Sequence, residues 1–174
     1  MKRLISSLAL VIASVVALAQ TPAARVELAR AEDDGNLFTV FTFKDADGTQ
    51  GYYLGLGTPN DIPGTVIVFD DVAETCIFLG ETLAEAAKTM DDILALYGQG
   101  AGTTASFTAR MGVGPMVLEK GVATAVVKSR FLAGKRLSFF YTSSRYTTET
   151  YLRKAAAKAL LAVVSDYMAN HPEE

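Results

Sequence analysis

Beyond residue 19, and apart from two segments, the chain never holds one pattern for long: short runs of β-branched and aromatic residues are cut by Gly, Asp, Asn and Pro before they reach helical length. Runs of that size are strands. The exceptions recur at steps of three and four, the spacing that puts one side of a helix against a core: Thr82 to Tyr97, and Thr147 to Met168. Strands that follow one another through turns form antiparallel pairs, because parallel neighbours need a long crossover between them. The chain is therefore expected to be an α+β single domain, a curved, mostly antiparallel sheet of about seven to nine strands packed by two helices.

The firmest hairpin is Leu37 to Lys44 with Gln50 to Leu56 around Asp47-Gly48, a preferred pair for a two-residue turn. That turn sets Phe43 opposite Tyr52, Phe41 opposite Leu54 and Thr39 opposite Leu56. The other face then carries Gly51, Tyr53, Gly55 and Gly57, a nearly bare backbone. Glycine in a strand marks a bend or a close neighbour. The alanine side of the last helix is one candidate neighbour, and a ligand lying on a groove floor is the other.

Before this hairpin, Arg25 to Glu32 alternates apolar and charged residues like an edge strand. After it come a Pro-containing loop, Thr58 to Gly64, and two short strands, Thr65 to Phe69 and Thr75 to Leu79. Thr82 and Glu85 stand at the spacing of a capping box, where each side chain satisfies a free amide at a helix start. Leu83, Ala86, Met90, Leu94 and Tyr97 share one face of that helix, and Gly98 stops it. The glycines of Gly98 to Gly102 follow a helix and do not precede one, so they make a linker and not a phosphate cradle. Strands are expected at Thr103 to Arg110, Met116 to Glu119, Val122 to Leu132 and Leu137 to Tyr141. The closing helix, Thr147 to Met168, buries Leu152, Ala156, Leu160, Val163 and Tyr167, and a frayed tail covers residues 170–174.

Residues 1–19 read as a bacterial secretory signal peptide. Lys2 and Arg3 precede the apolar run Leu4 to Leu18, and Ala17-Leu18-Ala19 offers small residues where a signal peptidase cuts. The run falls short of the roughly 20 apolar residues that span a bilayer. Cleavage leaves residues 20–174 as one exported domain, periplasmic or secreted, with no transmembrane span. Cys76, the only cysteine, lies in an apolar strand, which makes it a buried small hydrophobe and leaves the domain without an internal disulfide.

Catalytic material is thin. The only histidine, His171, sits in the tail, so Ser-His-Asp, Cys-His and His-rich zinc sites lack their parts. Asp45-Ala46-Asp47-Gly48 starts like a calcium loop but runs directly into a strand without the closing glutamate. The pairs Asp33-Asp34, Asp70-Asp71 and Asp91-Asp92 are neighbours in sequence, whose side chains point apart on a strand or helix. No cofactor, metal ligand set or catalytic residue is assigned.

Charge is the most uneven property. Between Gln20 and Ala109 four basic residues stand against fourteen acidic ones, and between Arg110 and Lys158 ten stand against two. Lys128, Arg130, Lys135, Arg136 and Arg145 form the densest basic group, set among Phe139, Phe140 and Tyr141, with Arg153 and Lys154 nearby. Two outcomes are open: an anion-binding surface, or acidic and basic strands that neutralise each other. The first expectation for function is an exported, non-catalytic binding or protein-interaction module. Its candidate contacts are Lys128, Arg130, Lys135, Arg136, Arg145, Gly51, Tyr53 and Gly55. An anionic glycan, a lipid head group or a protein would be the partner, and the negative total argues against nucleic acid. The alternatives are a small carboxylate-dependent hydrolase acting on envelope or glycan material, and an enzyme inhibitor or immunity-type protein using the 58–64 loop.

Overall fold

A computed structural model describes residues 25–33, 35–44, 48, 50–59, 73–113, 116–130, 134–142 and 147–171. The signal segment, the strand expected over 65–69, most of the 58–64 loop and Arg145 lie outside the described residues. The described chain is a meander of eight antiparallel strands in sequential order: β1 Arg25–Asp33, β2 Asn36–Lys44, β3 Gln50–Pro59, β4 Ala73–Gly80, β5 Thr104–Val113, β6 Met116–Arg130, β7 Gly134–Thr142 and β8 Thr147–Arg153. Helix α1, Leu83–Leu96, enters between β4 and β5, and helix α2, Lys154–Asn170, follows β8.

The sheet is strongly curved. β3 and β8 stand five positions apart in strand order, about 24 Å in a flat sheet at the usual strand spacing, yet parts of them come within 8 Å, Cα to Cα. α2 packs on β1 and α1, and α1 packs on β4. The larger apolar core is drawn from the helix-facing side of the sheet and from both helices, with Phe38, Leu54, Ile77, Met90, Leu137 and Leu160 all fully buried, and a smaller one holds Phe41, Phe43, Tyr53 and Cys76. Each such side chain contributes roughly 1.5–3 kcal/mol by leaving water.

α1 starts where its residues dictate: the Thr82 hydroxyl accepts from the Glu85 amide at 3.2 Å, and the Glu85 carboxylate accepts from the Thr82 amide at 3.2 Å. Its buried side is Leu83, Ala86, Met90 and Ile93, with Tyr97 just beyond; Leu94 is half-buried beside them. Cys76 is fully buried, its thiol donating to the Glu74 carbonyl at 3.8 Å.

Three expectations are corrected. Residues Thr147 to Arg153 are a strand and not the first turns of a helix: Leu152 pairs with Leu137 and Tyr151 with Ser138. Threonines and a tyrosine favour a pleated strand, and the Ala-rich sequence that favours a helix begins only after Arg153. The buried side of α2 is accordingly Ala156, Ala157, Leu160 and Val164, and Val163 is 41% exposed.

The first hairpin is displaced by one residue from the two-residue-turn register. Phe43 faces Gly51, Phe41 faces Tyr53, Thr39 faces Gly55, and Lys44 pairs with Gln50, so the connection is longer than two residues. Third, the two strands expected between Met116 and Leu132 are one strand of 15 residues. Its interior Gly121 is a site of close approach: a Cβ there would lie 2.8 Å from the Tyr141 ring.

Candidate functional site

Side chains alternate across a strand, so the face turned away from the helices is fixed by the core residues that face them. Two polar and aromatic clusters occupy that outer face. The first spans β1 to β5. Phe41, Tyr53 and Phe78 form a ladder over three strands, with ring centroids 5.6 and 5.4 Å apart. Arg25 lies over Phe41 at 3.7 Å and Arg110 over Tyr53 at 5.7 Å. The Arg25 guanidinium donates to Glu74 at 2.7 Å and to Thr39 at 2.9 Å, so its charge is met inside the protein.

The glycine track of β3 belongs to this cluster and not to the helix side. A Cβ on Gly51 would lie 3.0 Å from both the Phe78 and the Tyr53 rings, and one on Gly55 would run into Glu74 and sit 2.8 Å from the Thr39 hydroxyl. The one-residue displacement of the hairpin is the physical reason that the expected helix–glycine packing does not occur. Tyr53 itself is 3% exposed. The glycines make room for the protein's own rings and carboxylate.

The second cluster lies on β6, β7 and β8. Strand pairing places Lys128 opposite Arg136 and Arg136 opposite Arg153, three cations in a row across three strands. Directly opposed like charges destabilise a sheet, by roughly 0.2–1 kcal/mol per pair. Two of them are answered. Lys128 Nζ donates to Glu149 Oε1 at 2.7 Å, and Arg153 Nε donates to Asp33 Oδ2 at 2.6 Å. The Ser138 hydroxyl, fully buried under this network, donates to the same Glu149 oxygen at 2.9 Å. Hydrogen bonds from Lys128, Tyr151 and Ser138 hold the Glu149 carboxyl at about 2, well below the usual carboxylate range.

Arg136 is different. Its guanidinium lies 3.5 Å above the centre of the Tyr151 ring, and its Nε is buried without a hydrogen-bond partner among the described residues. An orphaned buried donor costs roughly 1–3 kcal/mol. Lys128 Nζ is 4.8 Å from the Phe140 ring and 5.6 Å from the Tyr151 ring, so aromatic surface underlies both cations.

The residues singled out in the sequence are thus divided. Lys128 and Arg136 are neighbours on the outer face. Gly51, Tyr53 and Gly55 are on that same face, in the first cluster. Arg130 pairs with Gly134 at the end of β6, with only its backbone described. Lys135 turns to the helix side and donates to the Gln99 carbonyl at 2.6 Å, just past the end of α1. Glu149 and Tyr151 were missed for one reason: on a helix, residues 149, 151 and 153 point in different directions, whereas on a strand they share a face.

Among the described residues no group of three or more His, Cys, Asp and Glu side chains is placed to hold a metal ion, and no helix is long and apolar enough to cross a membrane. No protein-family model, curated protein or solved structure matches this chain.

Proposed function

We propose that the protein is an exported, non-catalytic binding module whose contact surface is the cation row of β6 to β8. The observation that carries this proposal is Arg136, a permanently charged side chain at the centre of three cations, stacked on Tyr151 and without an acceptor for its buried Nε among the described residues. Three like charges in a row cost stability in the free protein, and an anion arriving on the row offsets that cost. Export is supported by the signal pattern of residues 1–19. The glycine-lined part of the outer face supports binding less, since its rings and Arg25 are already engaged with one another.

Three carboxylates that a hydrolase would need free are committed to ion pairs: Glu74 with Arg25, Glu149 with Lys128 and Asp33 with Arg153. They favour the binding role over acid–base chemistry.

The test is triple charge reversal, Lys128→Glu, Arg130→Glu and Arg136→Glu, with circular dichroism to establish that the fold persists. Wild-type protein immobilised on a column should retain anionic material from the envelope fraction of the producing cell and release it in salt, while the triple variant retains at least tenfold less. Equal retention by both proteins would remove the cation row as the contact surface.

A further inference from the structure

We propose that Arg136 receives a singly charged oxyanion of the ligand, a carboxylate or a phosphodiester, end-on through its two terminal amino groups; this rests on the binding-surface reading above and narrows it to one chemical group.

The protein contains its own precedent. Arg25 and Arg136 are built alike, each a guanidinium over an aromatic ring from the neighbouring strand, at 3.7 Å over Phe41 and 3.5 Å over Tyr151. Beneath Arg25 the arrangement is complete, because both Glu74 oxygens face its two terminal nitrogens, at 2.7 and 3.4 Å. At Arg136 no corresponding carboxylate stands among the described residues. Glu149, the acid on the same face of β8, is taken by Lys128, Ser138 and Tyr151.

Geometry decides which donors are left. The Tyr151 ring covers one side of the guanidinium, and Nε is shut away from solvent. The terminal amino groups remain, and their parallel N–H bonds match two oxygens of one carboxylate or phosphate. Charge decides the valence. Lys128, Arg136 and Arg153 stand against Glu149 and Asp33, which leaves one positive charge for the ligand to meet. A dianion would overshoot that balance.

A buried guanidinium Nε–H exchanges slowly enough to follow by ¹H–¹⁵N correlation NMR, so the site reports on itself. The full chain is titrated with dimethyl phosphate and with acetate at constant ionic strength, against sodium chloride as background and sodium sulfate as the dianion. The expected result is a saturable shift of the Arg136 Nε resonance with at least one monoanion. Arg136→Gln should remove the accompanying shifts at Lys128 and Tyr151. Arg136→Lys, which keeps the charge and loses the fork, should weaken binding at least fivefold, and it serves as the variant if Arg136→Gln fails to fold. Equal shifts with chloride, shifts that persist without Arg136, or tighter binding of sulfate than of either monoanion would overturn the proposal. If no monoanion moves the resonance while the triple charge reversal still abolishes retention, the assignment to Arg136 falls and the binding surface stands. Once dimethyl phosphate binds, sedimentation with phosphatidylglycerol vesicles beyond phosphatidylcholine vesicles places the phosphodiester on a lipid. Its absence places it on a soluble ester, and both results keep the assignment.

Discussion

Glu149 shows how much one side chain of the outer face is asked to do. It accepts from Lys128, Ser138 and Tyr151, and these bonds hold its carboxyl at about 2 where 4.5 is usual. Because the folded value is the lower one, the network adds stability that is fully present above about pH 4.5 and is lost as the pH falls through about 2. A ¹³C carboxyl titration should therefore place the Glu149 midpoint near 2, and Lys128→Ala should raise it toward 4.5 by removing the largest cause. An unshifted midpoint in that variant would mean that Lys128 does not engage the carboxylate. Glycine positions can be sorted the same way. Gly55→Ala drives a methyl into Glu74 and Thr39 and should cost about 1–3 kcal/mol in urea unfolding. Gly100→Ala meets nothing within 4 Å and should be close to neutral. At this scale the sequence was readable where chemistry is local, as with the buried Cys76. It was not readable where a partner comes from far along the chain: Asp33 and Arg153 are 120 residues apart.

Among elements, α1 was legible to its first residue because its start signal is self-contained. Thr82 and Glu85 satisfy each other's amides regardless of what the helix packs on. Thr82→Ala should lower stability by about 0.5–2 kcal/mol, read as an earlier urea midpoint with unchanged slope. α2 lacks such a signal, since Arg153 at its N-cap makes no side-chain capping bond. Apolar spacing alone then extended the expected helix backward through Thr147 to Leu152, where strand propensity and pairing with β7 prevail. That single error in element type hid Glu149 and Tyr151 from the site. The end of β8 is also tied to the end of α1, because the Tyr97 hydroxyl donates to the Leu152 carbonyl at 2.7 Å inside the core. Burial pushes the Tyr97 phenol up, and the Asp33 carboxylate adds to the shift, so it stays a donor throughout the ordinary pH range. Tyr97→Phe should cost about 0.5–1.5 kcal/mol in the same unfolding measurement.

For the whole molecule, turn chemistry foretold a curved antiparallel α+β sheet of the right size, and it could not foretell which distant strands the curvature brings together. Curvature follows from twist accumulated over eight strands and from the two helices it encloses, neither of which is a property of any short stretch. It brings β8 close to β1, where Arg153 meets Asp33 and the basic part of the chain touches the acidic part. The other pairs stay within their own parts, Arg25 with Glu74 and Lys128 with Glu149, and Arg136 is left with none among the described residues. The proposed binding role depends on that unanswered charge. It is tested most directly by native mass spectrometry of wild-type protein and of Arg136→Gln, each recovered from the producing cell in low salt. The account predicts a reproducible anionic adduct on the wild type that is absent from, or at least tenfold scarcer on, the variant. The same adduct at the same occupancy on both proteins, or none on either, would contradict it.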